Sequence, residues 1–319
     1  MVVSNTPIEK YEVKGKAIYV KREDLSSPFP GPANAKCRGI ERFLQELVEE
    51  DIRKVGVLDT RISRVGWIVA WLVKEKKYDI EVFDFYPKYK DDTGLRFAQK
   101  MAKYFGARLV PQPAGRDWYR YALARRHMKE IGGIMLPDKL RFIGATLAVA
   151  EEVQQVEEEL LRGTIVVSVG SGTILSGVIK GLADRGIVPN LVVGPLCASE
   201  ATIKSRKRYI AKLLESDWKA KVLFKHRTLL VPSRWSYFEP LRFVKTPFPC
   251  DPYYDRKAWI WLLKNLNRLP EPILFWNIGG EWDLYYGLAK GMRGDGRVTK
   301  EEFEKVWKEV EKVVISETT

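Results

Sequence analysis

The feature that most constrains the fold is a regular alternation of strand-like and helix-like segments between residues 55 and 113. Three apolar runs, VGVLDT, IEVFDFYP and ARLVPQP, are separated by two amphipathic segments, GWIVAWLVKEKKY and GLRFAQKMAKYFG. Strands that are joined by crossover helices pair in parallel, whereas antiparallel strands need only a short turn. The alternation therefore predicts a parallel sheet with helices on its faces and ligand sites at the carboxyl ends of its strands.

A second group of α/β segments surrounds the first. KAIYVKRE near the N-terminus and PNLVVGPLC read as strands, and GTIVVSVGSGTILSGVIKGLADRG reads as a strand, a loop and a helix. Residues 134–161 predict a loop followed by one long helix. We therefore predict two α/β domains with mostly parallel, twisted sheets: a smaller domain of residues 45–145 inserted into a larger one of residues 1–44 and 146–319.

Composition excludes several classes of protein. The chain has 319 residues and 45% hydrophobic residues, which is enough for a sizeable core. Its N-terminus lacks a basic segment followed by an apolar run, and nothing approaches the roughly 18 uncharged apolar residues of a membrane span, so we expect a cytoplasmic protein. The cysteines and histidines lack the spacing of metal ligands, which argues against a metal site or a disulfide scaffold; they are Cys37, Cys197, Cys250, His127 and His226.

The formal net charge of +13 favours anionic partners, and residues 204–227 are the most basic block. The favoured interpretation is that these residues form solvated helix faces in a chain with the Lys/Glu-rich composition of thermophiles. Binding of nucleic acid by this block is possible but not favoured.

The segment GPANAKCRGIERFLQEL places a lysine at the start of a helix. Apolar residues follow Lys36 at helical spacing, so Lys36 lies at or just before a helix N-terminus. The positive partial charge of that end suits an anionic ligand and disfavours a protonated amine. Lys36 is therefore a candidate nucleophile. The neighbouring Cys37 is a less favoured one.

A glycine-containing turn lies between a β-branched strand and a helix. It consists of Gly170, Ser171, Gly172 and Thr173. Backbone N–H groups at such a turn can cradle a phosphate, and a hydroxyl can add a donor. The turn is not a Walker loop and lacks the full spacing of a dinucleotide fingerprint. Taken alone, the same pattern fits a turn that binds nothing.

A nucleophilic lysine and a phosphate cradle together are what pyridoxal 5'-phosphate (PLP) requires. At this point the chain resembles the fold type II PLP-dependent enzymes, the tryptophan synthase β-subunit-like superfamily, over nearly its whole length. TPIEKYEVKGKAIYVKREDL is similar to the opening of that family, and NAKCRG is similar to its lysine segment. The resemblance implies the family fold, PLP as cofactor, Lys36 as the lysine of the internal aldimine, and a homodimer.

Within the superfamily, the chain is most similar to the branch of 1-aminocyclopropane-1-carboxylate deaminase and D-cysteine desulfhydrase. Asn34 stands two residues before the lysine, as in that branch, and DPYYDRKA and ILFWNIGG are similar to two further motifs of the branch. The resemblance implies that Tyr254 is an active-site tyrosine and that Asp255 lies near the pyridine nitrogen. Without the resemblance, Tyr254 would be interpreted as packing at a helix start.

Three loops depart from the family pattern. In DTRISRVGW, Ser63 occupies the serine position, but Arg64 replaces an asparagine that holds the phenolic oxygen of the cofactor. Arg64 can bind that oxygen or a substrate carboxylate. The glycine turn reads Gly-Ser-Gly-Thr-Ile instead of Gly-Ser-Gly-Gly-Thr, and Asn-Ile-Gly-Gly replaces His-Thr-Gly-Gly. Such changes suggest an unusual substrate or lost catalysis.

The favoured hypothesis is a PLP-dependent lyase or deaminase that acts on a small amino acid by β-elimination or deamination. Lys36 would then be the base at the α-carbon, residues 170–173 would hold the phosphate, and Ser63, Arg64 and Tyr254 would face the substrate. The main alternative is a catalytically inactive homologue that acts as a basic binding protein, with nucleic acid as its partner. A third is an enzyme that uses another phosphorylated ligand in the same cleft.

Overall fold

The structure is a computed structural model that describes residues 2–60, 62–88, 94–280 and 299–315. We number the strands β1 to β10 and the helices α1 to α11 among these residues. The strands are Ile8–Val13, Lys16–Arg22, Lys54–Leu58, Glu81–Lys88, Arg108–Pro113, Ile134–Met135, Thr164–Val167, Leu191–Pro195, Thr228–Val231 and Ile273–Asn277. The helices are Lys36–Glu49, Val65–Lys76, Phe97–Tyr104, Asp117–Glu130, Ile143–Gln154, Glu158–Arg162, Thr173–Asp184, Ile203–Leu213, Trp218–Arg227, Asp255–Asn265 and Lys300–Ile315.

The larger sheet in the described part of the chain has the strand order β1-β2-β10-β7-β8-β9. Strand β1 runs antiparallel to β2, and the other neighbours are parallel. All four residues of β7 are buried. A continuous apolar run is what a parallel strand needs when helices cover both faces of the sheet.

The smaller sheet has the order β5-β4-β3-β6 among the described residues, and all of its neighbours are parallel. Its strands lie between residues 54 and 135, inside the region predicted as the smaller domain. The predicted α/β class with mostly parallel sheets is confirmed. The boundaries at residues 45 and 145 stay a prediction.

The hydrophobic cores connect distant parts of the chain. Helix α1 buries Ile40 and Leu44 beside helices α2 and α3, and helix α11 adds the buried Phe303 and Val310 to the same core. In the larger sheet, helices α5 and α7 pack very closely: a Cβ atom on Gly177 would lie only 2.5 Å from Cβ of Val149. Helix α1 thus anchors the segment of Lys36 in the core that also contains helices α2, α3 and α11.

Two details differ from the sequence-based expectations. The single long helix predicted within residues 134–161 is wrong, because the chain forms two helices, α5 and α6, with a break after Gln154. The guanidinium of Arg185 donates hydrogen bonds to the carbonyls of Val153 and Val156. These bonds give partners to carbonyl groups at and just after the end of α5. The second difference concerns the basic block, after which no strand was predicted: the block forms α8 and α9, and strand β9 follows it directly.

No helix in the described residues is long and apolar enough to cross a membrane.

Candidate active site

A cavity of about 450 Å³ opens where strands of both sheets end. Residues that follow β3, β6, β7, β8 and β10 all contribute to its wall, as expected for ligand sites of parallel α/β folds. Of the residues selected from the sequence, most line this cavity. They are Asn34, Lys36, Ser63, Arg64, Gly170, Ser171, Gly172, Tyr254 and Asp255.

Lys36 is the first residue of α1, as predicted. Its backbone N–H donates to Oδ1 of Asn34 at 3.0 Å, so Asn34 fixes the start of the helix. Its Nζ lies 5.6 Å from the centre of the Tyr254 ring. Burial, and then the nearby charge of Arg64, lower the pKa of the Lys36 amine. A lowered pKa increases the fraction of neutral, nucleophilic amine.

Backbone hydrogen bonds join three motifs that are far apart in sequence. The N–H of Ala35 donates to the carbonyl of Ile278 at 2.9 Å, and the N–H of Gly280 donates to the carbonyl of Ala33 at 2.9 Å. The N–H of Asp251 donates to the carbonyl of Gly279 at 3.1 Å. The lysine segment, the DPYYD segment and the IGG segment therefore form one hydrogen-bonded unit.

Asp255 is a buried carboxylate at the wall of the cavity. Its Oδ2 accepts the N–H of Gly279 at 3.1 Å, whereas its Oδ1 has no hydrogen-bond partner among the described residues. Burial, and then the charge of Asp251, raise the pKa of Asp255 well above its usual range. A buried acceptor without a partner is costly, so this position suits a ligand that brings a cationic N–H group.

The glycine turn has the shape of an anion cradle. Gly172 has φ +102°, which only glycine adopts readily, and Thr173 begins helix α7. The hydroxyls of Ser171 and Thr173 are 3.1 Å apart, and the Thr173 hydroxyl donates to the carbonyl of Leu140. Ser168 presents a buried hydroxyl at the cavity that has no partner in the described part of the chain. Backbone N–H groups and hydroxyls therefore converge at the start of a helix, as a phosphate requires.

The start of helix α2 is closed by side chains of the protein itself. Oγ of Ser63 accepts the N–H of Val65 at 3.1 Å, and Oδ2 of Asp59 accepts the N–H of Gly66 at 3.2 Å. The guanidinium of Arg64 forms an ion pair with Asp251 and donates to the carbonyl of Pro32. The predicted role of Arg64 in holding the cofactor stays a prediction, but its charge is already paired.

Behind this helix start lie two buried aspartates. Asp59 and Asp84 both adjoin Gly66, and neither oxygen of Asp84 accepts a hydrogen bond from the described residues. Burial raises the pKa of Asp59 to about 6. Burial, and then the charge of Asp59, raise the pKa of Asp84 well above its usual range, although Arg120 opposes the shift. The pair therefore retains protons in the folded state that an unfolded chain releases.

These shifts predict a pH-dependent stability. A raised carboxyl pKa stabilises the fold fully below about pH 4, the value for unfolded Asp, and this contribution is lost as the pH rises through the folded pKa. An asparagine at this position cannot ionise. We expect Asp84→Asn to match the wild type near about pH 4 and to be more stable near about pH 8, on the order of 1 kcal/mol or more. Urea unfolding across this pH range, with Asp79→Asn as an exposed control, measures the difference. Equal pH slopes in wild type and variant would contradict it.

Several residues of the cavity wall were missed by sequence reasoning. Asp251 pairs with Arg64, Tyr237 shares a hydroxyl–hydroxyl hydrogen bond with Tyr254, and Arg206 lies within the basic block. The Asp-Pro-Tyr-Tyr motif was a signal for Asp251, since its first residue is this aspartate. Nothing in the sequence distinguishes Arg206 from its solvated neighbours.

Comparison with known proteins is consistent with this geometry. No family model matches the chain. A "Glycyl-dTMP PLP-dependent decarboxylase" of Pseudomonas phage M6 is 35% identical over 288 residues, which cover 88% of this chain and all of that protein.

Two solved structures show the same fold at low sequence identity. An "ACC deaminase homologue" superposes with a TM-score of 0.74 at 21% identity, covering 91% of this chain and 93% of the other. A threonine deaminase from T.th. gives 0.61 at 18% identity, covering 86% and 92%. The phage relative is named as PLP-dependent and the solved structures share the fold, so the predicted resemblance is confirmed: the chain belongs to the fold type II pyridoxal-phosphate-dependent enzymes.

Proposed function

We propose that this enzyme is a PLP-dependent decarboxylase that acts on an amino acid group carried by a nucleotide. The phage M6 relative is named for this reaction with glycyl-dTMP, and the two chains match over the whole length of that relative. The hypothesis favoured from the sequence was different: there, the substrate is a small free amino acid that undergoes deamination or β-elimination.

The observation that carries the proposal is the closed start of helix α2. A helix N-terminus that faces a cavity is a natural site for a carboxylate. Here the N–H groups of Val65 and Gly66 are already bonded to Ser63 and Asp59, so neither is free for a substrate carboxylate. Hydrogen bonds that stabilise a carboxylate oppose its conversion into neutral CO₂, because they are lost in the transition state. A substrate carboxylate without these donors favours decarboxylation over reactions that retain it.

The residues present fit the cofactor. Lys36 would bind its aldehyde carbon, residues 170–173 would hold its phosphate, and Oδ1 of Asp255 would accept a hydrogen bond from its pyridine N–H. Asn34 would fix the position of Lys36 through the hydrogen bond at the start of α1. When bound, PLP supplies an electron sink for the α-carbon of an amino acid.

A side chain of the protein supplies the proton that the α-carbon takes up. In decarboxylation the bond between the α-carbon and the carboxyl carbon breaks, CO₂ leaves, and the α-carbon takes up a proton in its place. The Nζ of Lys36 is our proposed donor, because burial lowers its pKa and so makes its ammonium form a stronger acid than an exposed lysine. Ser63, Arg64 and Tyr254 would face the substrate, and the ion pair of Arg64 with Asp251 would keep the Arg64 charge away from the leaving carboxylate.

Product analysis tests the proposal. We expect the PLP-loaded enzyme to convert glycyl-dTMP into CO₂ and an amine that retains its nitrogen, without release of ammonia. D-cysteine and 1-aminocyclopropane-1-carboxylate should give no sulfide or ammonia. Ammonia or sulfide from these amino acids, with no CO₂ from glycyl-dTMP, would support the deaminase or β-eliminase instead. A chain that binds no PLP and turns over none of the three would favour the non-catalytic binding protein.

A further inference from the structure

Arg206 is a cation of the cavity wall that has no carboxylate partner among the described residues. It lies on helix α8, is half-buried, and its Nε is buried without a hydrogen-bond partner in the same part of the chain. In contrast, Arg64 and Lys139, which also line the cavity, pair with Asp251 and Asp117. A partly buried guanidinium without an anion is unfavourable, so this position suits an anionic ligand.

A second arginine lies beside it. Arg141 stacks on Tyr209 of α8, with the guanidinium carbon 3.5 Å from the ring centre. Its Nη1 lies 4.0 Å from Oδ2 of Asp138, and its Nε is buried without a hydrogen-bond partner in the described residues. Burial lowers the pKa of Arg206, and the positive charge of Arg141 lowers it further. The ion pair of Arg141 with Asp138 is long, at 4.0 Å, so the two neighbouring guanidinium groups still favour an anion near Arg206, and a phosphate accepts hydrogen bonds from a guanidinium.

The same part of the cavity has an aromatic wall. Phe238 is 47% exposed and lines the cavity next to Tyr237, with the two ring centres 5.0 Å apart. Tyr237 in turn contacts Tyr254, which lies over Lys36. An exposed ring and a guanidinium group in the wall of one cavity form an arrangement that can bind a nucleobase by stacking and its phosphate by charge.

We propose that Arg206 binds the phosphate of a nucleotide-linked substrate, that the neighbouring Arg141 adds positive charge to this part of the wall, and that Phe238 stacks on the base of the substrate. This inference rests on the proposed function and names the part of the site that would distinguish a nucleotide from a free amino acid. It also explains why one arginine of a solvated basic block turns towards the cavity.

The phosphate of PLP is the competing anion. Ile210, one turn after Arg206 on α8, lies against Gly172 of the glycine turn, so the arginines are close to the cradle. The cradle, however, already offers the N–H groups at the start of α7 and the Ser171 hydroxyl. A cofactor phosphate held by those groups leaves Arg206 for a second phosphate.

The test compares Arg206→Ala with Arg208→Ala, an exposed arginine on the same helix. Holoenzyme of each is titrated with dTMP and with thymidine, which lacks the phosphate. We expect the wild type and Arg208→Ala to bind dTMP more tightly than thymidine, and Arg206→Ala to lose this preference by about 10- to 100-fold, as for a hydrogen bond to a charged group. With glycyl-dTMP the loss should fall on KM more than on kcat, and PLP affinity should not change.

Two outcomes would overturn the inference. If Arg206→Ala weakens PLP binding but keeps the preference for dTMP, Arg206 serves the cofactor phosphate. If neither changes, Arg206 binds no phosphate. The dTMP titration needs no turnover, so failure of the proposed decarboxylation would be seen separately, as preserved binding without release of CO₂. Phe238→Ala should weaken dTMP and thymidine alike, because both carry the base.

Discussion

Lys36→Ala is expected to reduce turnover by more than about 10³-fold, because the variant loses both the nucleophile for the cofactor and the proton donor at the α-carbon. The other lysine of the cavity wall in the described part of the chain, Lys139, pairs with Asp117 and Asp138 and so cannot replace it. Lys36 projects from the first residue of a helix that packs in the core, so its backbone position does not depend on its side chain.

Three measurements together check this expectation: release of CO₂ from glycyl-dTMP, the visible absorbance of the PLP-loaded protein, and the mass of the peptide labelled after borohydride reduction. Lys10→Ala, an exposed lysine on β1, is the control and should behave as wild type. If the variant keeps its turnover, or if the wild-type label lies on another lysine, Lys36 does not have the assigned role.

Asp255→Asn should have the next largest effect, a loss of about 10²- to 10³-fold in turnover, which is the usual cost of removing one preorganised electrostatic partner in an active site. An asparagine keeps the acceptor for the Gly279 N–H but cannot hold a positive charge on the cofactor ring. Since Asp255 is a buried carboxylate with a raised pKa, the neutral side chain should not destabilise the fold.

The pairing of lost activity with retained stability is therefore the expected signature of Asp255→Asn. Turnover, PLP affinity and urea unfolding of the variant should be compared with those of Asp51→Asn, which changes an exposed aspartate. A variant that unfolds more easily in proportion to its lost activity would show that Asp255 has only a structural role.

The sequence predicted those parts of the fold that depend on local pattern. The apolar runs at residues 55–60 and 165–169 form β3 and β7 nearly as expected, and the helical spacing after Lys36 forms α1. The break between α5 and α6 was not predictable from pattern, because the hydrogen bonds that end α5 come from Arg185, more than twenty residues later. Pattern describes one segment at a time, whereas this break depends on a contact between segments.

The site also contains residues that a local sequence pattern predicts and residues that only contacts between segments bring into place. Lys36 and the glycine turn carry local signals, since each combines a helix start with a residue type that has a chemical reason to be there. Asp59 has no such signal: an aspartate at a strand end is common in loops, and only the folded chain brings it to Gly66 at the start of α2. Arg206 is hidden by its basic neighbours for the same reason. The features on which the proposed decarboxylation rests are therefore tertiary contacts, which a sequence pattern does not contain.

The position of the last described helix has a consequence for the order in which the fold is completed. Helix α11 places Phe303 and Val310 in the core of the smaller sheet, and Trp307 stacks on Phe97 of α3 with ring centres 5.3 Å apart. In the larger sheet, β2 has β10 as its parallel neighbour. Both cores thus contain segments that follow residue 270, so neither core is complete until these late segments have packed against strands and helices formed by earlier residues. The active site between the two sheets therefore forms only after those segments have packed in place.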